Sequence, residues 1–257
     1  MHSPEELKAL VDEALEGIAL WPDLDGQQES ARYGLVEMGG KRIRPVISLA
    51  VGEALGAPPE RTMPAALALE MVHNFSLVHD DLPSLDNDAE RRGLPSVWAA
   101  YGEGKAVLAG DALLAEAFRL ACSYPASDLA RELAEATLGM IGGQYLDTME
   151  PGTDLETVHR LKTGCLFAAA VALPLWAAEV PAAELGPWRA FGDELGLLFQ
   201  IVDDILDADG YVLTHGADGA RTLSDEAAAR AQARLDEIAA DTSVLADIVT
   251  GLASRTT

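Results

Sequence analysis

The chain has 257 residues, with 18 Lys+Arg against 42 Asp+Glu and a formal net charge of −24. That balance argues against nucleic acid and anionic membrane surfaces as partners, since both are themselves negative. Two cysteines, Cys122 and Cys165, cannot build a disulfide framework, so a reducing, cytoplasmic compartment is expected, with both thiols in the core.

Hydrophobic residues make up 49% of the chain, enough for a sizeable core. No uncharged apolar run reaches the ~18 residues of a membrane span, so no membrane insertion is expected. Met1 to Lys8 is polar and lacks a signal-peptide core. In chain order, Ser3-Pro4-Glu5-Glu6 is a capping box with proline at the first helical position. Gly39-Gly40 punctuates the next segment, and a helix is predicted from Ile43 to Leu55, before Gly56. Thr62, with Pro64 close behind, is predicted to start a long helix reaching Leu82. Pro83 cannot continue it, which puts Asp86 in the turn beyond. Further helices are predicted over 104–123, 127–146, 153–162, 165–178, 184–207 and 220–240, with a second capping box at Thr153-Asp154-Leu155-Glu156. No alternating strand pattern of useful length, internal repeat or linker interrupts the series. The expectation is one all-α domain over 1–257.

Two aspartate clusters end apolar runs. The first is Asp80-Asp81-Leu82-Pro83-Ser84-Leu85-Asp86-Asn87-Asp88, and the second is Asp203-Asp204-Ile205-Leu206-Asp207. Carboxylates this close repel one another, and an apolar wall raises the cost. The usual remedy is a bound cation, and a hard oxygen set suits Mg²⁺ bridging carboxylates to phosphates. His73 and Asp80 are two helical turns apart on one face. Asp203 and Asp207 also share a face, with Asp204 offset as support, and Gln200 lies three residues before Asp203 on that same face. An acidic surface helix would account for one such cluster, but not for two that each close an apolar helix.

Cations sit where an anionic substrate needs them. Gly39-Gly40-Lys41-Arg42-Ile43-Arg44-Pro45 places three in a glycine-opened turn at a helix start. Arg91-Arg92-Gly93 follows the first cluster, and Lys162-Thr163-Gly164 interrupts an apolar stretch. Gln144 and Asp147, after Gly142-Gly143, form a polar step in an apolar helix. A buried, satisfied amide explains Gln144 or Gln200 equally well.

Together these residues resemble the trans-isoprenyl diphosphate synthases, the farnesyl and geranylgeranyl diphosphate synthase (polyprenyl synthetase) family. The resemblance covers Gly39 to Asp207, through GGKRIRP at 39–45, EMVHNFSLVHDDLPSLDND at 70–88, RRGLPS at 91–96, LAGDALL at 108–114, GGQYLD at 142–147, LKTG at 161–164 and FQIVDDILD at 199–207. It implies an all-α isoprenoid synthase fold, a homodimer with a central cavity, and a Mg²⁺-dependent prenyltransferase. Such an enzyme condenses isopentenyl diphosphate with an allylic diphosphate in isoprenoid biosynthesis. By resemblance Asp80, Asp81 and Asp86 form one metal set, and Asp203, Asp204 and Asp207 the other. Lys41, Arg44, His73 and Arg92 resemble the isopentenyl diphosphate site. Arg91, Lys162 and Gln200 resemble the allylic site, with Thr163 near the reacting carbons. His79 has no implied role and reads as structural.

Phe75, five residues before Asp80, resembles the aromatic that stops growth at fifteen carbons; the alternative is that Phe75 is simply core, and with the motif farnesyl diphosphate is the expected product. Two departures stand out. Asn74 occupies a position where the family usually has threonine. A glycine- and lysine-rich loop usually follows the second cluster, yet here Asp207-Ala208-Asp209-Gly210 passes straight to Tyr211, and no lysine follows Lys162. Either the loop is deleted, leaving the lid open, or a mobile loop is missing from the chain as read; the second is the expectation. Geranylgeranyl diphosphate synthase is one alternative. A class I terpene cyclase is another, but it normally lacks the second cluster and the GGKRIRP turn. A non-catalytic partner subunit usually loses one cluster, and only the absent lysines favour it.

Overall fold

The computed structural model describes residues 1–150 and 152–256. Its helices are α1 (Pro4–Glu16), α2 (Gln27–Arg32), α3 (Ile43–Ala54), α4 (Pro59–Asp80), α5 (Val97–Tyr101), α6 (Glu103–Ala121), α7 (Asp128–Met149), α8 (Leu155–His159), α9 (Cys165–Ala177), α10 (Leu185–Asp207), α11 (Tyr211–Asp236) and α12 (Ser243–Ala253). A π-turn, Arg160–Gly164, joins α8 to α9. The architecture is all-α, as the apolar periodicity implied. In α1 the Glu6 N–H donates to Ser3 Oγ at 3.2 Å and the Ser3 N–H to Glu6 Oε2 at 2.8 Å. This reciprocal cap starts a helix that buries Leu7, Val11 and Leu15 on one stripe.

Several boundaries differ from expectation. α4 starts at Pro59, not Thr62, because a proline loses nothing in the first turn, where its missing N–H has no partner anyway. Thr62 instead fills the notch at Gly52, where a Cβ would stand 2.7 Å from Thr62 Cγ2. α8 is capped by Asp154 rather than Thr153, through N–H donors of Glu156 and Thr157 at 3.0 and 3.3 Å. α11 starts at Tyr211 rather than 220 and is broken at Gly216, whose φ is +74°. Residues 90–95 form a two-residue hairpin, β1 (Glu90–Arg91) against β2 (Leu94–Pro95). Arg92 and Gly93, with φ of +55° and +80°, supply the tight turn that strand twist demands. Strands this short leave no alternation for the sequence to show.

α9 is buried on nearly every side: Leu166, Phe167, Ala170, Val171 and Leu173 are each 0–1% exposed. Leu155–Ala177 is, among the described residues, the one helical stretch long and apolar enough to cross a membrane, and 56% of its window is buried inside the fold. Neither thiol is fully in the core. Cys122 is exposed where α6 ends, and Cys165 is half-buried, its pKa raised by burial.

A buried ion pair ties α4 to the turn before α3. The Arg42 side chain, 2% exposed, donates Nη1–H to Glu70 Oε1 at 2.7 Å and Nη2–H to the Leu35 carbonyl at 2.9 Å. Asn74 Nδ2–H reaches the same Glu70 carboxylate at 3.2 Å and the Glu70 carbonyl at 2.8 Å. Asn74 therefore braces Glu70. Removing the carboxylate leaves the buried guanidinium with only the more exposed carboxylate of Asp12, whose Oδ1 is 3.2 Å from Arg42 Nε, so Glu70→Ala is expected to cost about 3 kcal/mol. Urea unfolding should show a lowered midpoint with an unchanged slope.

Candidate active site

A cavity of about 300 Å³ runs along the last turns of α4. Arg44 from α3, His73, Phe75 and Asp80 from α4, Gln144 from α7 and Lys162 from the π-turn line it. His79, Met140, Ile141, Thr163 and Leu166 are also in the wall. One helix thus presents His73 and Asp80 on one face, as their spacing of seven predicts. Charged and polar groups thus share the wall with apolar side chains.

The two aspartates of each pair have separate fates. Asp81 is 1% exposed and receives the Arg91 guanidinium in a bidentate contact, with Nε 2.8 Å from Oδ1 and Nη2 2.5 Å from it. Asp80 has no such partner. Burial pushes its pKa up to about 6, with Lys162 opposing and Asp86 adding to the rise. The backbone folds Asp86 back toward it, its N–H donating to the Asp80 carbonyl at 2.9 Å.

The second cluster repeats the division. Asp204 is buried and accepts from Gln200 Nε2–H at 2.7 Å and from the Tyr211 N–H at 2.8 Å. Gly210 makes this possible, since a Cβ there would stand 2.0 Å from Asp204 Oδ2. Burial raises the pKa of Asp203, Asp207 raises it further, and Lys41 and Arg44 oppose the shift. Asp203 and Asp207 therefore remain the unpaired carboxylates. Gln200 bonds Asp204, four residues on, rather than Asp203, three residues on; both spacings put side chains within reach on a helix. It lines a separate cavity of about 490 Å³ with His159, Cys165 and Tyr211, not the one that holds Lys162.

The basic groups divide in the same way. Arg42 is consumed by Glu70, whereas Arg44 is buried with its Nε lacking a hydrogen-bond partner. Its guanidinium lies 4.6 Å from the Phe167 ring centre. Burial lowers its pKa to about 10, which leaves it cationic at neutral pH. His73 is held neutral, its pKa well below the ordinary value through burial and then the nearby Arg44 and Arg92. Lys41 is exposed. Arg92 donates Nη1–H to the Gly39 carbonyl, which ties the hairpin to the glycine turn. Both Arg42 and Arg92 have left-handed backbones, φ +52° and +55°, a local strain typical of functional turns.

The sequence marks Asp147 only as a polar step. In the fold its carboxylate accepts from Lys162 Nζ at 2.5 Å and aims that ammonium. Gly143 brings the two segments together, since a Cβ there would stand 2.2 Å from the Lys162 backbone nitrogen. The π-turn projects Lys162 and Thr163 into the cavity, a usual place for such a bulge. The Gln144 carbonyl oxygen Oε1 is buried without a donor, so the satisfied-amide reading does not hold for it. The Gly-Gly pair at 142–143 is the signal that could have pointed to Asp147.

Among the described residues no three His, Cys, Asp or Glu side chains converge into a self-sufficient metal cage. That suits Mg²⁺, which commonly takes one or two carboxylates and fills the rest with water and phosphate oxygens. The unpaired, repelling sets Asp80/Asp86 and Asp203/Asp207 fit such an ion. Asp81 and Asp204 are already satisfied by protein donors.

The junction after α10 is closed. Gly210 joins Tyr211 directly, with the Asp209 N–H on the Asp204 carbonyl at 3.0 Å and the Val212 N–H on the Asp209 carbonyl at 2.8 Å. In the 257-residue chain Asp204 and these backbone bonds knit a complete turn between α10 and α11.

A family model described as "Polyprenyl synthetase" matches residues 27–221. The geranylgeranyl diphosphate synthase of Cyanophora paradoxa is 43% identical over 194 residues, 70% of this chain and 64% of that protein. The farnesyl diphosphate synthase of Escherichia coli is 39% identical over 237 residues, 84% of this chain and 79% of that protein. The chain spans 58% of an Arabidopsis thaliana relative named the large subunit of a heterodimeric geranylgeranyl pyrophosphate synthase, with 41% identity over 77% of this chain. Several curated relatives are thus covered over less than two thirds of their length. Among solved structures, a geranyltranstransferase from Thermotoga maritima superposes with a TM-score of 0.86 at 29% identity, covering 99% of both chains.

Asp80 sets a pH dependence. Between 3.8 and about 6 the folded chain keeps a proton on Asp80 that the unfolded chain has released. Stability therefore falls as pH rises through that window. In EDTA at pH 8, Asp80→Asn is expected to raise the melting temperature, by roughly 1–2 kcal/mol of stability after allowance for partial solvation. At pH 4 the variant and wild type should melt together.

Proposed function

The chain belongs to the polyprenyl synthetase family, and from that premise we propose that it is a Mg²⁺-dependent trans-prenyltransferase joining isopentenyl diphosphate head to tail to dimethylallyl or geranyl diphosphate, with farnesyl diphosphate as end product. One observation carries the reading: a single cavity has the unpaired Asp80 and Lys162 among its polar groups, Arg44 and His73 alongside, and Phe75 in its apolar wall. That is the shape of a site for a diphosphate with an apolar tail.

Asp80 with Asp86, and Asp203 with Asp207, would hold Mg²⁺, which when bound would supply positive charge to the departing allylic diphosphate. Lys162, aimed by Asp147, binds the same diphosphate. Arg91 serves it indirectly by holding Asp81, and Gln200 by holding Asp204. The allylic C–O bond breaks in a cavity whose walls exclude water. The buried Gln144 carbonyl and the Thr163 hydroxyl face the cationic carbons and stabilise them. Arg44, with an unused Nε–H, binds isopentenyl diphosphate together with Lys41 and the Arg92 turn. Neutral His73 donates to that diphosphate without adding charge. The double bond attacks, a C–C bond forms, and the proton leaves to the released diphosphate.

The closed junction brings no lysine to the allylic diphosphate, so Lys162 is its main protein cation. This same feature favours a second reading, a weakly catalytic partner subunit. A twenty-carbon end point is the other product supported by relatives of both names.

The active form in this reading is a homodimer. Leu138, Ile141, Tyr145 and Met149 recur along one stripe of α7 and are 43–68% exposed, and Leu108 on α6 is 57% exposed. Ile141 also lines the cavity, so a second copy covering this stripe would close its outer wall. Light scattering should give twice the chain mass, and Leu138→Glu with Tyr145→Glu should return the monomer.

Purified protein is to be incubated with Mg²⁺, isopentenyl diphosphate and each allylic starter, and the products weighed by mass spectrometry. A fifteen-carbon end point supports the proposal, a twenty-carbon one moves the assignment to the longer product, and no condensation supports the partner subunit. Asp80→Asn and Asp203→Asn are each expected to lower kcat by roughly 10²–10³-fold. Arg44→Ala should raise KM for isopentenyl diphosphate by roughly 10–100-fold, and Lys162→Ala should do so for the allylic partner.

A further inference from the structure

We propose that His79 is a positioning residue for product length: it locks the Phe75 ring that forms the cavity floor, using a slot that Gly110 opens in α6. The inference rests on the reading of the cavity as a site of chain elongation, and goes beyond it by giving a role to a residue that the reaction itself does not use.

Three observations converge on His79. It lies one turn after Phe75 on α4, and the two rings meet edge to face with centres 4.9 Å apart at 74°. Its Nε2–H donates to the Val107 carbonyl of α6 at 2.9 Å, which requires the proton on Nε2 and fixes the ring plane. The ring occupies the space where residue 110 would carry a side chain. A Cβ at Gly110 would stand 2.2 Å from His79 Nε2 and 2.4 Å from Cδ2. No L side chain fits there with the ring in place.

Both Phe75 and His79 line the cavity, and Phe75 is 7% exposed. A growing apolar chain that reaches Phe75 can lengthen only by turning that ring aside. His79 stands against the ring, and its own retreat is blocked by the backbone of α6. The limit on length is then a property of three residues: Phe75 as the surface, His79 as its brace, and Gly110 as the slot. The brace acts through a hydrogen bond and ring packing, and it needs no charge on the imidazole.

The test uses the full-length chain with Mg²⁺, isopentenyl diphosphate and geranyl diphosphate, and reads the ratio of twenty- to fifteen-carbon product. A ratio is independent of how much each variant slows. His79→Ala is expected to raise it by roughly tenfold, the discrimination typical of a small change in an apolar pocket. His79→Gln keeps an N–H for Val107 without the ring edge and should raise it less. Phe75→Ala should raise it too, and Phe75→Ala/His79→Ala should match Phe75→Ala alone, since a brace has no effect once the braced ring is gone. Gly110→Ala, which drives the imidazole into the cavity, should stop growth early and accumulate ten carbons from dimethylallyl diphosphate. Circular dichroism checks folding, and if His79→Ala does not fold, His79→Gln and Gly110→Ala decide alone. An unchanged ratio in a condensing His79 variant, or independent effects in the double variant, overturns the proposal. So does a wild type that already runs to twenty carbons. A wild type that condenses nothing overturns the elongation reading itself, which an unchanged ratio in active variants does not.

Discussion

Negative charge held beside an apolar cavity is the constraint on which the structure depends. Asp80 sits at the end of a helix whose preceding turns are core, and desolvation alone would drive it neutral. Burial lifts its pKa to about 6, so at neutral pH it remains largely ionised and under strain. Every basic residue near it answers that strain partly, and none cancels it. A site in this condition suits cations and their phosphate complexes, because binding would relieve a cost already built into the fold.

The way each Asp-Asp pair is divided shows how the fold tolerates such a density of charge. Successive residues on a helix point about 100° apart, so one of two adjacent carboxylates, Asp80 at the cavity or Asp203 on α10, is left unpaired while its neighbour meets a packed element. The neighbour is then satisfied by the protein: Asp81 by Arg91 of the hairpin, Asp204 by Gln200 and the Tyr211 N–H. The same economy applies to the cations, with Arg42 committed to Glu70 and Arg44 left with a free donor. Structural pairs fix the backbone, and the unpaired member of each set is left for a ligand.

The junction between α10 and α11 follows from this division. Asp204 closes a short turn through Gly210, and that turn occupies the place where a longer loop would begin. In the proposed reaction this leaves Lys162 as the main protein cation for the allylic diphosphate. Asp147 and Gly143 matter for that reason, since they set where this one ammonium points.

Helix after helix was legible in the sequence, because an apolar period of 3.6 survives any detail of packing. The clusters at 80–88 and 203–207 were legible too, since carboxylates at the end of an apolar run have few bland explanations. Boundaries failed where local signals competed, as with Thr62, expected to start α4 but lying inside it, packed against Gly52. The two-residue hairpin failed because strands so short carry no pattern. By itself the sequence determined the all-α class, the two carboxylate clusters and the face shared by His73 and Asp80, all of which follow from local periodicity and charge. Only the tertiary structure decided which aspartate of each pair is free, that Asp147 aims Lys162, that Gln200 serves Asp204, and that His79 is wedged against Phe75. Those outcomes depend on which helices approach at glycines far apart in the chain, and no local pattern records such meetings.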